Sequence, residues 1–137
     1  MDPRRVDVFV YGLFMDKEML ESKGVRPVDI RSAAVPGFGL RIGARAALTP
    51  ELSGRVHGLV MKLSHADIDT LYSDPTLRAY RPEAVLARLH NGAATAALCH
   101  NLPQAPTRDE RNAEYAAKLH SLTQRLGLPS DYVASIL

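Results

Sequence analysis

The segment that most constrains the fold is an apolar run near the amino terminus that leads directly into a glycine. Residues 6–10 alternate valine with aspartate and phenylalanine, a period of two that is typical of a strand with one buried face. Tyr11 and Gly12 follow, and glycine allows a backbone turn that a side chain would block. Residues 16–22 then predict a short helix that ends at Gly24. A strand, a glycine turn and a helix start bring free backbone N–H groups together, which predicts an anion-binding loop.

Length and composition limit the class of protein. A chain of 137 residues predicts one domain, 1–137, large enough to bury roughly two-thirds of its unfolded surface. The net charge of +2 is too small to indicate nucleic acid or an acidic membrane as a partner. No stretch approaches the roughly 18 apolar residues of a membrane span. Cys99 has no second cysteine to pair with, so we expect a buried inert thiol in a soluble cytoplasmic protein.

The remaining pattern predicts mixed helices and strands without a long linker. Residues 83–89 and 94–99 flank Asn91-Gly92, a strong hairpin signal, and residues 111–126 have the apolar spacing of a helix. Further strands are predicted at 30–35, 40–42, 46–48 and 55–63, with a turn at 36–39 and a loop at 50–54. Further helices are predicted at 17–23, 67–72 and 130–136, with Asp16 and Ser64 as N-caps. Regular strand–helix alternation is absent, which disfavours a doubly wound sheet.

Five segments, taken in order, resemble the γ-glutamylcyclotransferase-like (AIG2-like) family. Tyr11-Gly12-Leu13-Phe14 resembles its Tyr-Gly-x-Leu signature, and residues 56–63 resemble its middle strand, with Met61 in place of a tyrosine. The other matches are the helix and acidic loop at 67–75, the Tyr-Arg strand entry at 79–85, and a Gly-Leu-Pro-x-x-Tyr segment at 127–133. The resemblance implies an α+β fold, a small mixed β-barrel with peripheral helices.

The same resemblance implies a reaction on a small-molecule γ-glutamyl substrate that needs no cofactor. The substrate's α-amine attacks its own γ-carbonyl, the ring closes to 5-oxoproline, and an amine leaves. The protein must then orient the substrate and move a proton. By this resemblance the substrate-binding residues are Tyr11, Gly12, Leu13 and Phe14, with Tyr80 as a further hydrogen-bond donor.

The proton carrier of the family is a glutamate, and this chain departs from the pattern there. Pro75 occupies the glutamate position and Thr76 the following glycine. Asp74 stands one residue earlier, with a side chain shorter by one methylene, roughly 1.5 Å, and a following proline able to redirect the loop. Asp74 is therefore the predicted catalytic carboxylate, and Glu83 is the second candidate.

Other chemistries lack a motif. The five histidines are scattered without metal-ligand spacing, so each is interpreted as a surface or strand-edge residue and no metal is predicted. No phosphate-binding loop, dinucleotide fingerprint or serine-hydrolase elbow is present. Two functions stay open: a γ-glutamyl cyclotransferase, favoured by an acid at position 74, and a non-catalytic γ-glutamyl or small-anion binding module, favoured by Pro75.

Overall fold

Five strands form a closed barrel in the computed structural model, which describes residues 4–107 and 109–136. The strands are β1 (Arg5–Val10), β2 (Val28–Ile42), β3 (Ala46–Ser64), β4 (Arg81–Leu89) and β5 (Ala94–Asn101). Their order around the barrel is β1-β3-β2-β4-β5. Neighbours are antiparallel except at the closure, where β1 and β5 run parallel. The predicted barrel with peripheral helices is confirmed.

Short helices connect and cover the strands. They are α1 (Lys17–Ser22), α2 (His65–Leu71), α3 (Ala113–Leu126) and α4 (Ser130–Ser135), with 3-10 helices at Leu13–Met15 and Pro75–Leu77. The predicted N-caps are confirmed: Asp16 accepts a hydrogen bond from the N–H of Glu18, and Ser64 accepts one from the N–H of Asp67, each at 3.1 Å. Such caps satisfy N–H groups that have no partner inside the helix. None of the described helices is long and apolar enough to cross a membrane.

The predicted breaks within β2 and β3 are wrong. Residues 36–39 do not end a strand, because β2 continues through them with a shift of register between Pro36 and Phe38. Gly37 has φ +86° there, a conformation that favours glycine. Residues 50–54 likewise lie within β3. A long strand that curves around a barrel must bend, and an irregular pair with a glycine supplies the bend without ending the pairing.

Both faces of β1 are buried, whereas the alternation predicted one. Val8 and Val10 belong to a cluster that includes Leu119 and Leu122 of α3, while Phe9 and Tyr11 belong to a second cluster. Because side chains alternate along a strand, the two clusters lie on opposite sides of it. The helix stripe predicted at 111–126 is correct at Leu119 and Leu122, which are buried, but Leu126 is exposed. Strand β1 therefore joins the barrel to the helical layer.

Candidate ligand-binding cavity

A small cavity opens where β1 ends, beside the tip of the β2–β3 hairpin and the segment between α2 and β4. Its volume is about 60 Å³, more than a single ordered water needs. The predicted binding residues all line it: Tyr11, Gly12, Leu13, Phe14 and Tyr80. Four polar side chains that the motifs did not single out line it too: Arg45, Tyr72, His100 and Tyr115. The volume suits a small head group.

Gly12 is required by a close approach and not by an unusual turn. Its φ is −109° and its ψ −151°, an extended conformation that any residue adopts. A Cβ at this position would lie 2.7 Å from the hydroxyl oxygen of Tyr115, closer than carbon and oxygen can approach. The predicted backbone reason for this glycine is therefore wrong. The absence of a side chain admits the Tyr115 hydroxyl to the loop.

The loop of residues 11–14, the glycine loop, is tightened by a 3-10 helix. The N–H of Met15 donates to the carbonyl of Gly12 at 3.1 Å, and the N–H of Asp16 donates to that of Leu13 at 3.1 Å. Burial raises the pKa of Tyr115, and hydrogen bonds from the backbone of Leu13 and Ala46 oppose that effect in part. A polar oxygen therefore already lies against the backbone of this loop, as an oxygen of a bound ligand could.

A buried asparagine that no motif identified holds this end of the barrel together. Asn101 accepts a hydrogen bond from the N–H of Leu48 at 2.9 Å and donates to its carbonyl at 3.0 Å. The Tyr11 hydroxyl donates to the carbonyl of His100 at 3.0 Å and also lies 3.4 Å from the Asn101 amide oxygen. Burial strongly raises the pKa of Tyr11, so its proton stays in place. Asn101 thus links β5, β3 and Tyr11.

Asp74 lies outside the cavity lining. Its carboxylate is exposed, and Oδ1 accepts hydrogen bonds from the N–H and the hydroxyl of Thr76, both at 2.8 Å. These bonds lower the pKa of Asp74 and cap the 3-10 helix at Pro75–Leu77. The expectation that this carboxylate projects into the cavity is wrong, because Asp74 is not among the lining residues and its Oδ1 accepts both hydrogen bonds of the cap. Its catalytic role stays a prediction.

Asp74 is connected to the cavity through two hydrogen bonds in series. The Thr76 hydroxyl, which donates to Asp74, accepts a hydrogen bond from the Arg45 guanidinium at 2.8 Å. Arg45 in turn lines the cavity. The exposed acid therefore helps to position a cation at the cavity entrance.

Glu83, the second candidate acid, is also outside the lining. It is exposed on β4 and accepts a hydrogen bond from the Asn101 amide nitrogen at 3.1 Å. Asn101 stands between this carboxylate and Tyr11. Glu83 thus supports the asparagine that organises the site.

Two tyrosines and a buried histidine, His100, form the aromatic side of the cavity, and the sequence pattern had placed that histidine at the surface or at a strand edge. The Tyr80 hydroxyl donates to the carbonyl of Ala46, so the predicted donor already has a backbone partner. The Tyr72 ring stacks on the His100 imidazole, with centroids 3.9 Å apart and planes at 14°. Interpreting His100 as a surface or edge residue was wrong, because it is 7% exposed.

The charges around the cavity are unevenly distributed. Arg45 contributes a guanidinium cation to the lining. Burial lowers the pKa of His100 and raises those of the lining tyrosines. No aspartate or glutamate is among the lining residues that the structure describes. Within the same described residues, no three histidine, cysteine, aspartate or glutamate side chains are grouped for a metal ion. A neutral cavity with one cation at its entrance suits an anionic group.

Comparison with known proteins identifies the fold. No protein-family model and no curated protein matches the chain in sequence. Among solved structures, the chain is similar to a γ-glutamyl cyclotransferase at TM-score 0.81 and 15% identity, covering 97% of this chain and 86% of the other. It is similar to an uncharacterised protein from Homo sapiens at TM-score 0.79 and 15% identity, covering 96% and 86%.

A third similar structure is an AIG2-like protein from Mus musculus, at TM-score 0.56 and 12% identity, covering 81% of this chain and 90% of the other. The chain therefore has the γ-glutamyl cyclotransferase-like fold. The resemblance noted in the sequence is confirmed at this level.

Proposed function

We propose that this protein binds the glutamyl group of a small γ-glutamyl amide in the cavity and cyclises it to 5-oxoproline, releasing an amine. The observation that carries the proposal is the meeting of the glycine loop and Arg45 on one small cavity, in a fold shared with a γ-glutamyl cyclotransferase. The Arg45 guanidinium provides a place for the oxygens of an anionic head group, and the glycine loop lies on the same cavity.

The cavity can favour ring closure by holding a flexible substrate in a folded conformation. In a γ-glutamyl amide, the attacking α-amine and the γ-carbonyl belong to one molecule. Orientation of two reacting groups accounts for a large part of many rate enhancements, with effective molarities of about 10⁵–10⁸ M in well-aligned cases. Tyr72 and Leu77 line the cavity, and their apolar surface gives the folded form of the substrate something to pack against.

A second candidate function is a non-catalytic module that binds a γ-glutamyl compound or a small anion. One observation favours it: the carboxylates of Asp74 and Glu83 lie outside the described cavity lining. Ring closure requires removal of a proton from the α-ammonium group, and a cavity that lacks the carboxylate expected to accept it would bind the substrate without converting it. The two candidates therefore differ in product formation, and both require binding.

The experiment compares binding and turnover on one panel. Purified protein is incubated with γ-glutamyl amino acids and γ-glutamyl alkylamines, 5-oxoproline is quantified by mass spectrometry, and binding is measured by calorimetry. We expect 5-oxoproline from at least one compound. Arg45→Met should weaken binding by about 10-fold or more, because a hydrogen bond to a charged group contributes about 1.5–3 kcal/mol.

Arg88→Met is the matched control, since Arg88 is exposed on β4 and outside the cavity lining. Binding without 5-oxoproline supports the module. A panel that neither binds nor reacts contradicts both candidates.

A further inference from the structure

Among the cavity-lining residues that the structure describes there is one histidine, His100. The titratable groups around the cavity are Arg45, His100 and the four tyrosines Tyr11, Tyr72, Tyr80 and Tyr115. Burial raises the pKa values of the four tyrosines, so their hydroxyls keep their protons at the pH of an ordinary assay. A guanidinium group has no acceptor for a proton. His100 alone can accept and return a proton there.

The position of His100 is set by its neighbours. It lies on β5 directly before Asn101, and its carbonyl receives the Tyr11 hydroxyl at 3.0 Å. The imidazole lies flat against the Tyr72 ring, which limits its rotation. Its Nδ1 is buried without a hydrogen-bond partner among the described residues. A buried ring nitrogen without a partner is costly unless a ligand or water supplies one.

We propose that the His100 imidazole is the proton carrier of this cavity, an inference that rests on the proposed cyclisation. It takes the place that the sequence pattern gave to Asp74. No sequence motif pointed to His100, because a single histidine followed by an asparagine has no recognisable spacing. Its function follows from burial, stacking and the cavity it lines.

The reaction balances with His100 as both acceptor and donor. Neutral imidazole first takes a proton from the substrate's α-ammonium group, leaving an amine with a free electron pair. That amine forms the new C–N bond to the γ-carbonyl carbon, and the carbonyl oxygen takes the displaced electron pair. Imidazolium then gives its proton to the leaving nitrogen as the old C–N bond breaks.

The collapse of the intermediate restores the carbonyl. The second proton on the attacking nitrogen passes through solvent to the released amine, which becomes an ammonium ion. The products are 5-oxoproline and that ammonium ion, and His100 returns to its neutral form. Because burial lowers the pKa of His100 below its ordinary value, the neutral, accepting form is the one present at pH 7.

The test uses the wild-type chain and His100→Gln on the same γ-glutamyl panel. Glutamine keeps a polar side chain but cannot carry a proton. We expect kcat to fall by about 10²–10⁴, the usual contribution of a positioned acid–base group, while calorimetric binding changes by less than about threefold. His120→Gln on α3 is the control, because His120 is outside the cavity lining; it should leave kcat unchanged.

A pH profile separates a chemical role from a structural one. For the wild type, kcat/KM should fall on the acid side with an apparent pKa below 6.5, since protonated imidazole accepts no proton. Nuclear magnetic resonance of the His100 ring in the free protein should give the same pKa, a check that holds even if His100→Gln fails to fold. Full activity in His100→Gln, or a ring pKa that disagrees with the profile, overturns the role of His100 and leaves the proposed cyclisation standing. A wild type that releases no 5-oxoproline overturns both.

Discussion

Two three-residue 3-10 helices border the cavity, and the residues that precede them behave in opposite ways. Leu13–Met15 follows Gly12, which provides no side-chain cap. Pro75–Leu77 follows Asp74, whose carboxylate caps the turn. At Gly12 the absence of a side chain lets another residue reach the backbone. At Asp74 the side chain is occupied by its own turn. A similar local structure thus lines the cavity with backbone in one case and supports the Arg45 side chain from outside in the other.

The largest expected effect tests whether the position of the glycine loop depends on α3. Leu119 is 0% exposed and lies on the helix that brings Tyr115 to Gly12. Leu119→Ala should lower the free energy of unfolding by about 2–5 kcal/mol, as is usual for a fully buried leucine. Leu126→Ala, at a residue 37% exposed, is the matched control with a much smaller effect. Denaturant unfolding measures both, and a loss for Leu119→Ala as small as the one expected for Leu126→Ala would show that α3 is peripheral to the barrel.

A smaller effect is expected from adding one methyl group at the glycine loop. In Gly12→Ala the new Cβ meets the Tyr115 hydroxyl, so the helix or the loop must shift at a cost of about 1–3 kcal/mol. Binding of the γ-glutamyl panel should weaken accordingly. Combining the change with Tyr115→Phe removes the clashing oxygen and should recover most of the lost stability in a double-mutant cycle. Additive losses would mean that the loop needs glycine for another reason.

The smallest effect is expected at Asp74, which lies outside the cavity lining. Asp74→Asn keeps an oxygen able to accept from Thr76, so Arg45 should stay in position and kcat should change by less than about threefold. Asp74→Ala removes that oxygen and should raise KM modestly, with kcat preserved. Steady-state kinetics on the best substrate measures both. A drop of about 10²–10⁴ in kcat for Asp74→Asn, the range of a lost general base, would restore Asp74 as the proton carrier and remove the difference between the two turns.

The sequence predicted the parts of the site that depend on local patterns. The strand at residues 6–10 and the hairpin turn at Asn91-Gly92 are short-range signals, and the structure contains both. Gly12 was also identified, but the structure gives it a different reason, the close approach of the Tyr115 hydroxyl. The long strands were divided because a proline and two glycines at 36–39 read as a turn, whereas in a barrel they bend the strand.

The side chains that complete the cavity come from distant parts of the chain. Tyr11 and His100 are 89 positions apart, and neither spacing nor composition relates them. Asp74 was selected because it neighbours a motif position. Whether its carboxylate turns inward depends on Thr76, whose hydrogen bonds follow from the folded turn. The sequence pattern therefore located the segments near the cavity but did not predict which of their side chains point into it.

The parallel seam between β1 and β5 has a consequence for how a ligand affects folding. It pairs Val8 with Leu98 and Phe9 with Cys99, and closing so long a stretch of chain carries an entropy cost that grows with length. The cavity is complete only once that seam has formed, since its residues come from both strands. Occupancy of the cavity and closure of the barrel are thus linked equilibria. A ligand at 100 times its dissociation constant would raise the free energy of unfolding by about 2.7 kcal/mol. A rise in melting temperature would therefore show which compounds the protein binds.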